Sequence, residues 1–368
     1  MILKTLPALL LACTTLLAQP AAKPRIEVVF ALDTTSSMTG LIEGAKQKIW
    51  SIANQLVAAK PAPDLRIGLL AYRDRGDEYI TRFYDLSDDI DTVYAHLRTF
   101  RADGGGDMPE SVNQALREAV SRPTWSADRK VLKILFLVGD CPPHMDYPNE
   151  TTYPAICQAA MKKDILINTI QCGDIAETTP IWQEIARLSE GTFVAIGQTG
   201  NMQAVTTPMD AELAKLNVEM GRTLLPYGSE SKKREVVAKQ AMAESVGLAA
   251  PAVAADRLSF NASTKKAVQG GGDLLDDTKG GLVSLDTVAK DQLPKEMQSM
   301  SPAERKTYLQ RKETERAKVQ ARINELSKQR QAFLDAELKK QATKDAFDQK
   351  VAEAIRLQAK RKGILYVN

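Results

Sequence analysis

Short, almost wholly apolar runs alternate with amphipathic stretches from Lys23 to about Pro226. Residues 26–32 are apolar nearly throughout and end against Asp33, the pattern of a strand buried on both faces. Leu41, Ala45, Ile49 and Ile52 then recur at three- and four-residue steps, a helical period, until Pro61-Ala62-Pro63 breaks it. Residues 66–72 and 79–84 read as two strands joined at Asp74-Arg75-Gly76-Asp77, a solvated charged hairpin. Helices are predicted at 90–100 and 109–122, the second with proline at its first position. Residues 131–138 form the most apolar strand and run into Asp140. Helix 154–163, strand 166–172, helix 179–189, strand 192–196 and a helix near 208–224 complete the series. The alternation predicts an α/β fold, a doubly wound, mostly parallel six-stranded sheet with one antiparallel edge strand, within residues 24–226.

Beyond residue 226 the pattern changes. Residues 227–292 are rich in Ala and Ser around Gly270-Gly271-Gly272 and Gly280-Gly281, and read as a linker carrying partly ordered elements. Residues 293–368 turn helical. Ser301-Pro302-Ala303-Glu304 is a capping box, and Val319, Ile323, Leu326, Arg330 and Phe333 follow at steps of four and three. That spacing suits a coiled coil, a route to self-association, or a hairpin with the second set Phe347, Val351, Ile355 and Gln358.

Composition narrows the function. A net charge of +3, from 49 basic against 46 acidic side chains, lacks the excess of a nucleic-acid binder. Lys4, the apolar stretch 6–17 and Leu16-Leu17-Ala18 read as a signal peptide over residues 1–18, which implies a periplasmic or secreted protein. The stretch is too short for a comfortable membrane span, which needs roughly 20 residues. Leu10-Leu11-Ala12-Cys13 is the competing reading, a lipoprotein signal with Cys13 lipidated. Removal of residues 1–18 leaves Cys141, Cys157 and Cys172. An odd count after export suggests one disulfide and one thiol, and Cys157 with Cys172, both placed at the ligand face, is the expected pair. Three buried, reduced cysteines are the alternative.

In such a sheet, ligands collect outside the carboxyl ends of the strands. Three loops fall there. In Asp33-Thr34-Thr35-Ser36-Ser37, residues two apart point the same way, so Asp33, Thr35 and Ser37 offer one carboxylate and two hydroxyls to one point. Gly104-Gly105-Gly106-Asp107-Met108-Pro109-Glu110 lets the backbone approach closely, and Gly139-Asp140 ends the central strand. Hard oxygen donors in this number suit Mg²⁺, Mn²⁺ or Ca²⁺.

Asp-x-Thr-x-Ser after the first strand, with an aspartate ending the fourth, resembles the metal-ion-dependent adhesion site of von Willebrand factor A domains. The Gly-Gly-Gly-Asp-x-Pro-Glu and Gly-Asp-x-Pro-Pro-His stretches resemble a branch found in secreted bacterial proteins and in some alpha-kinase-associated proteins. The resemblance covers residues 25 to about 225 and implies strand order 3-2-1-4-5-6. It implies Asp33, Thr35 and Ser37 as metal ligands, with Asp140 binding from the fourth strand, often through water. The family usually adds a threonine from the second loop. This chain has none there, and Asp107 is the nearest oxygen donor; a third carboxylate leaves less positive charge for an acidic ligand.

The resemblance implies an exported, metal-dependent protein-binding module whose partner presents Asp or Glu to the ion, Mg²⁺ first among the cations. No catalytic set is recognisable: no Ser-His-acid order, no phosphate loop and no metalloprotease motif. A Mg²⁺-dependent phosphatase using Asp33 as nucleophile would need an acid two residues on, where Thr35 stands. The remaining alternative is a structural envelope protein with a degenerate metal site. His144, four residues past Asp140, is expected to fix its loop by hydrogen bonding.

Overall fold

The computed structural model describes residues 23–202, 205–340 and 346–366. The signal-peptide and Cys13 readings lie outside them. Six strands, β1 (Arg25–Asp33), β2 (Asp64–Tyr72), β3 (Thr81–Ser87), β4 (Leu132–Gly139), β5 (Ile165–Cys172) and β6 (Phe193–Ile196), form one sheet in the order β3-β2-β1-β4-β5-β6. Only β3 is antiparallel to its neighbour. Strands β1 and β4 lie at the centre, which is why their sequences are apolar on both faces.

Alternation along β1 divides the core. Ile26, Val28, Phe30 and Leu32 face α1 (Thr39–Val57) and α2 (Ile90–Thr99), while Val29 and Ala31 face α3 (Val112–Ser121), α4 (Tyr153–Lys162) and α5 (Thr178–Leu188). The same parity in β5 overturns the expected disulfide. Cys172 shares the face of Ile170, whereas Cys157 on α4 packs with Ile165 and Ile167 across the sheet, and both thiols are free and buried. Helix α3 also starts later than the proline at 109 suggested. Glu110 donates its amide to the Pro142 carbonyl (3.0 Å) and accepts from the His144 amide (3.0 Å), so its backbone bridges another loop and cannot enter a helix.

The expected linker is instead helical. After α6 (Asp210–Gly221) come α7 (Glu230–Ala249), α8 (Pro251–Thr264) and α9 (Leu274–Lys279). Alanine, which the linker reading grouped with serine and glycine, is the best helix former and lets α8 lie close to its neighbours. These helices are tied to α2 by buried ion pairs. Arg257 grips the fully buried Asp91 with two bonds (2.6 and 2.9 Å), and Lys239 pairs with Asp89. Removing one partner of such a pair costs about 3–5 kcal/mol, because the other charge stays buried.

The long α10 (Pro302–Lys340) and α11 (Phe347–Ala359) are separate helices. The stripe expected to form a coiled-coil seam is used within the chain. Ile323 and Leu326 pack among Leu213, Leu216 and Leu258, and Arg330 reaches Asp210 (2.7 Å) and Asp256 (2.5 Å). Helix α11 belongs to the first domain. Phe347, Val351 and Ile355 join the core beside Phe30, and Gln358 exchanges two hydrogen bonds with Asn168 of β5 (3.1 and 2.8 Å). Beyond it, Lys60 and Leu365 form a β-bridge, and Tyr366 donates to the Leu56 carbonyl (2.9 Å). The boundary drawn at 226 therefore does not delimit a self-sufficient unit: the sheet is completed by the chain's last helix. No described helix is long and apolar enough to cross a membrane.

A chain ending at residue 340 should expose the apolar face under α11. Its thermal unfolding should occur at a clearly lower temperature, with increased binding of a hydrophobic dye. Unfolding at the full-length temperature would contradict the placement of α11.

Candidate metal site

The site forms where β1 and β4 end side by side. A Cβ on Gly139 would lie 2.4 Å from the Tyr72 hydroxyl and 2.9 Å from Asp33 Cβ, so glycine is required for the strand ends to approach. Asp33 is fully buried. Its Oδ1 accepts from the Thr35 amide (2.8 Å) and the Thr35 hydroxyl (2.7 Å), and Thr35 Oγ1 is 3.3 Å from Ser37 Oγ. The first loop thus brings Asp33, Thr35 and Ser37 together as expected, with Ser37 exposed at the rim.

The glycine loop lies against it. Ser36 donates its amide (3.2 Å) and hydroxyl (2.8 Å) to the Gly104 carbonyl, and the Asp103 amide donates to the Thr34 carbonyl (3.0 Å). Gly105 has φ +75°, and a Cβ there would sit 2.8 Å from Thr35 Cβ; both conformation and space demand glycine. Asp140 completes the set. The Thr178 hydroxyl (2.7 Å) holds its carbonyl and Trp182 donates to that of Cys141 (3.2 Å), while Gln198 donates to Asp140 Oδ2 (2.8 Å). Gln198 had no signal in the sequence, because it arrives from the loop after β6.

Asp107 is not drawn into this set. It is exposed, and no hydrogen bond joins it to the first loop. The acid of that loop that turns inward is Glu110, 2% exposed, its Oε1 being 3.2 Å from the point where a Gly105 Cβ would stand. Glu110 stands in the motif, but a helix starting at Pro109 gives no sign of the backbone bridge that directs it.

The loop read as a solvated hairpin also faces inward. Asp74 is buried and accepts from the Ser111 (2.7 Å) and Tyr147 (2.8 Å) hydroxyls, and Asp77 accepts from the Gly105 amide (3.2 Å). His144 pairs through Nδ1 with Asp146 (2.8 Å) and stacks on Tyr147, whose other face carries Arg75. It fixes its loop, as expected.

At the meeting of these loops the buried carboxylate oxygens Asp33 Oδ2, Asp140 Oδ1 and Glu110 Oε2 have no hydrogen-bond donor; elsewhere among the described residues Glu150 Oε2 and Asp348 Oδ1 share that state. Burial, with the charge of Asp140, pushes the Asp33 carboxyl up to about 7. Burial, with Asp33, Asp74, Asp77 and Asp140, pushes Glu110 up to about 9. Orphaned, mutually repelling carboxylates are the arrangement a divalent cation relieves. Asp33 and Asp140, with the Thr35 and Ser37 hydroxyls, supply the hard oxygens that fit Mg²⁺, Mn²⁺ or Ca²⁺. Among the described residues no group of three or more His, Cys, Asp or Glu converges on one point, so hydroxyls and water are needed to complete a shell.

Residues 27–201 match the family model of the von Willebrand factor A domain. This segment is a von Willebrand factor A domain. Such domains commonly bind a divalent metal and often mediate protein interactions. Among solved structures, the chain is similar to proximal thread matrix protein 1 from the mussel byssus, at 14% identity and TM-score 0.37. That match covers 48% of this chain and 42% of the mussel protein, less than half of its length. The SpRpn10 VWA domain matches at 14% identity and TM-score 0.37, over 49% of this chain and 91% of that one. An aerotolerance-related membrane protein from Bacteroides fragilis matches at 15% identity and TM-score 0.33, over 47% and 92%. No curated protein sequence matches. The A domain accounts for the sheet and its loops; α6 to α11 lie outside the match.

The raised carboxyls have a consequence for the metal-free A domain. An acid that holds its proton more tightly when folded stabilises the fold at low pH and loses that advantage as pH rises. For Asp33 the window runs from its ordinary value to about 7, and for Glu110 to about 9. In chelator, the melting temperature should therefore fall between about pH 5 and about pH 8, and Mg²⁺ should reduce the fall. A metal-free protein equally stable at both pH values would contradict the geometry.

Proposed function

We propose that the A domain is a divalent-cation-dependent protein-binding module of an exported protein. The observation that carries this reading is the set of buried carboxylate oxygens without donors at the junction of the Asp33, Glu110 and Asp140 loops. Asp33, Thr35, Ser37 and Asp140 would hold the ion. When bound, the cation supplies a Lewis-acidic position that an oxygen donor from a partner can fill by a charge-assisted bond. The protein's own part is positional. Thr35 occupies Asp33 Oδ1 with its amide and hydroxyl, leaving Oδ2 without a protein donor. Gln198 does the same for Asp140 by occupying Oδ2 and leaving Oδ1.

Binding rather than catalysis is the function we assign, since none of these residues forms a nucleophile–base pair. The export reading rests on the leader pattern of residues 1–18. A carboxylate is the partner donor that the family resemblance implies, and its fit depends on the charge already at the centre.

The test is calorimetric titration of the metal-free, full-length chain with Mg²⁺, because α11 completes the domain. Saturable binding that disappears in Asp33→Ala and weakens in Ser37→Ala is the expected result. Absence of binding in the parent, or unchanged binding in Asp33→Ala, would overturn the reading.

A further inference from the structure

The surface around the candidate centre is charged unevenly. Asp103, Asp107, Asp174 and Glu177 are exposed, and among the described residues none of them pairs with a basic side chain. Their loops are fastened to the centre. The Asp103 amide donates to the Thr34 carbonyl (3.0 Å), and Thr178, next to Glu177, donates its hydroxyl to the Asp140 carbonyl (2.7 Å). Gly173, just before Asp174, packs so closely on Gln198 that a Cβ there would stand 2.2 Å from Oε1, and Gln198 in turn donates to Asp140 (2.8 Å). Asp107 follows the glycine that packs on Thr35. Inside this ring Asp33 Oδ2 and Asp140 Oδ1 are buried without a donor. Basic groups do not offset the ring. No lysine stands in residues 33–38, 73–80, 101–111, 140–152, 173–178 or 197–202. Arg73 is buried and donates to the Thr34 (3.1 Å) and Arg101 (2.8 Å) carbonyls, while Arg75 lies over the Tyr147 ring and 3.5 Å from Glu150. Among the described residues of these loops, Arg101 is the one exposed basic side chain without an acidic partner.

Two methionines share this end of the sheet. Met108 is 56% exposed and Met145 52%, and the bonds from Glu110 to Pro142 and from His144 to Glu110 hold their two loops side by side. Lysine and arginine suit both features at once, since an aliphatic stem can lie along a methionine while the cation at its tip reaches a carboxylate. A negative surface also speeds the encounter with a basic partner and slows that with an acidic one. We infer that this end of the sheet docks a lysine- or arginine-rich segment of a partner protein, whose cations meet Asp103, Asp107, Asp174 and Glu177 around the oxygen that enters the centre. This rests on the reading above of the strand ends as the partner face. The charge of a divalent ion is balanced by Asp33 and Asp140, so the exposed acids shape the approach whether the centre is filled or empty.

The test uses the full-length protein in Mg²⁺, with fluorescein-labelled deca-lysine and deca-glutamate as probes read by fluorescence anisotropy. Deca-lysine should bind saturably, and more weakly as salt is raised, while deca-glutamate should not bind. In the fourfold variant Asp103→Asn, Asp107→Asn, Asp174→Asn and Glu177→Gln, affinity for deca-lysine should fall by about 10-fold, the combined effect of four exposed charge pairs. A control removes the same number of acids elsewhere, as Glu219→Gln, Glu313→Gln, Glu315→Gln and Glu325→Gln, and should bind like the parent. No deca-lysine binding by the parent, equal binding by the fourfold variant, or an equal loss in the control would overturn the inference. Melting curves establish that each variant is folded. Should the fourfold variant not fold, Asp103→Asn with Asp107→Asn, and Asp174→Asn with Glu177→Gln, are each expected to weaken binding by about threefold. Calorimetry with Mg²⁺ on the same parent separates the two readings. A parent that binds deca-lysine at these acids but no Mg²⁺ would overturn the cation reading and support this one, and a parent that binds Mg²⁺ but not deca-lysine would overturn this one alone.

Discussion

The close meeting of β1 and β4 at their carboxyl ends is the constraint on which the rest of this structure depends. Gly139 permits it, since any side chain there would collide with Asp33 and Tyr72. It places Asp33 and Asp140 together, both buried, at the cost of desolvating two like charges. The glycine loop turns a further buried acid, Glu110, inward on the same side without bringing it to the same point. A fold that spends stability on three buried acids while supplying donors to only some of their oxygens has left room for a positive charge. The surrounding bonds from Thr35, Gln198 and Thr178 hold that arrangement in place without filling it.

The covering of the sheet is completed from far along the chain. Helix α11 covers the face of β1, β4 and β5 that the preceding helices leave open, so the domain closes only when the last residues return to it. Between β6 and α11 the chain builds α6 to α10, joined to α2 through Arg257–Asp91 and Lys239–Asp89. These pairs serve better as registry devices than as sources of stability, because apolar packing of equal volume would hold the helices at least as firmly. They fix how the helical layer sits on the sheet.

Much of this was legible in the sequence. The six strands, their order, and the convergence of Asp33, Thr35, Ser37 and Asp140 follow from apolar runs ending in aspartate, together with the family resemblance. The failures have physical reasons. Cys157 and Cys172 were paired by the end of the sheet they occupy, although β5 parity puts Cys172 on the face of Ile170. Residues 227–292 carry few large apolar side chains for their length, yet those present, Leu258, Phe260, Leu274 and Leu275 among them, are buried, and the alanine-rich helices anchor through buried charge. Helix α10 has a seam that looks self-complementary, but Arg330 within it belongs to Asp210 and Asp256 of the same chain. Glu110 was obscured by Pro109, which resembles a helix start until the bridge to Pro143 is seen. Long-range backbone contacts of that kind leave no periodicity to read.

The most direct test of the central claim, that the orphaned carboxylates form one cation centre, is anomalous diffraction from crystals of the full-length protein grown with Mn²⁺. The account predicts an anomalous peak at the junction of the Asp33, Glu110 and Asp140 loops, within coordinating distance of Asp33 Oδ2 and the Ser37 hydroxyl. Clear density for these side chains with no such peak, or a peak only elsewhere in the molecule, would contradict it.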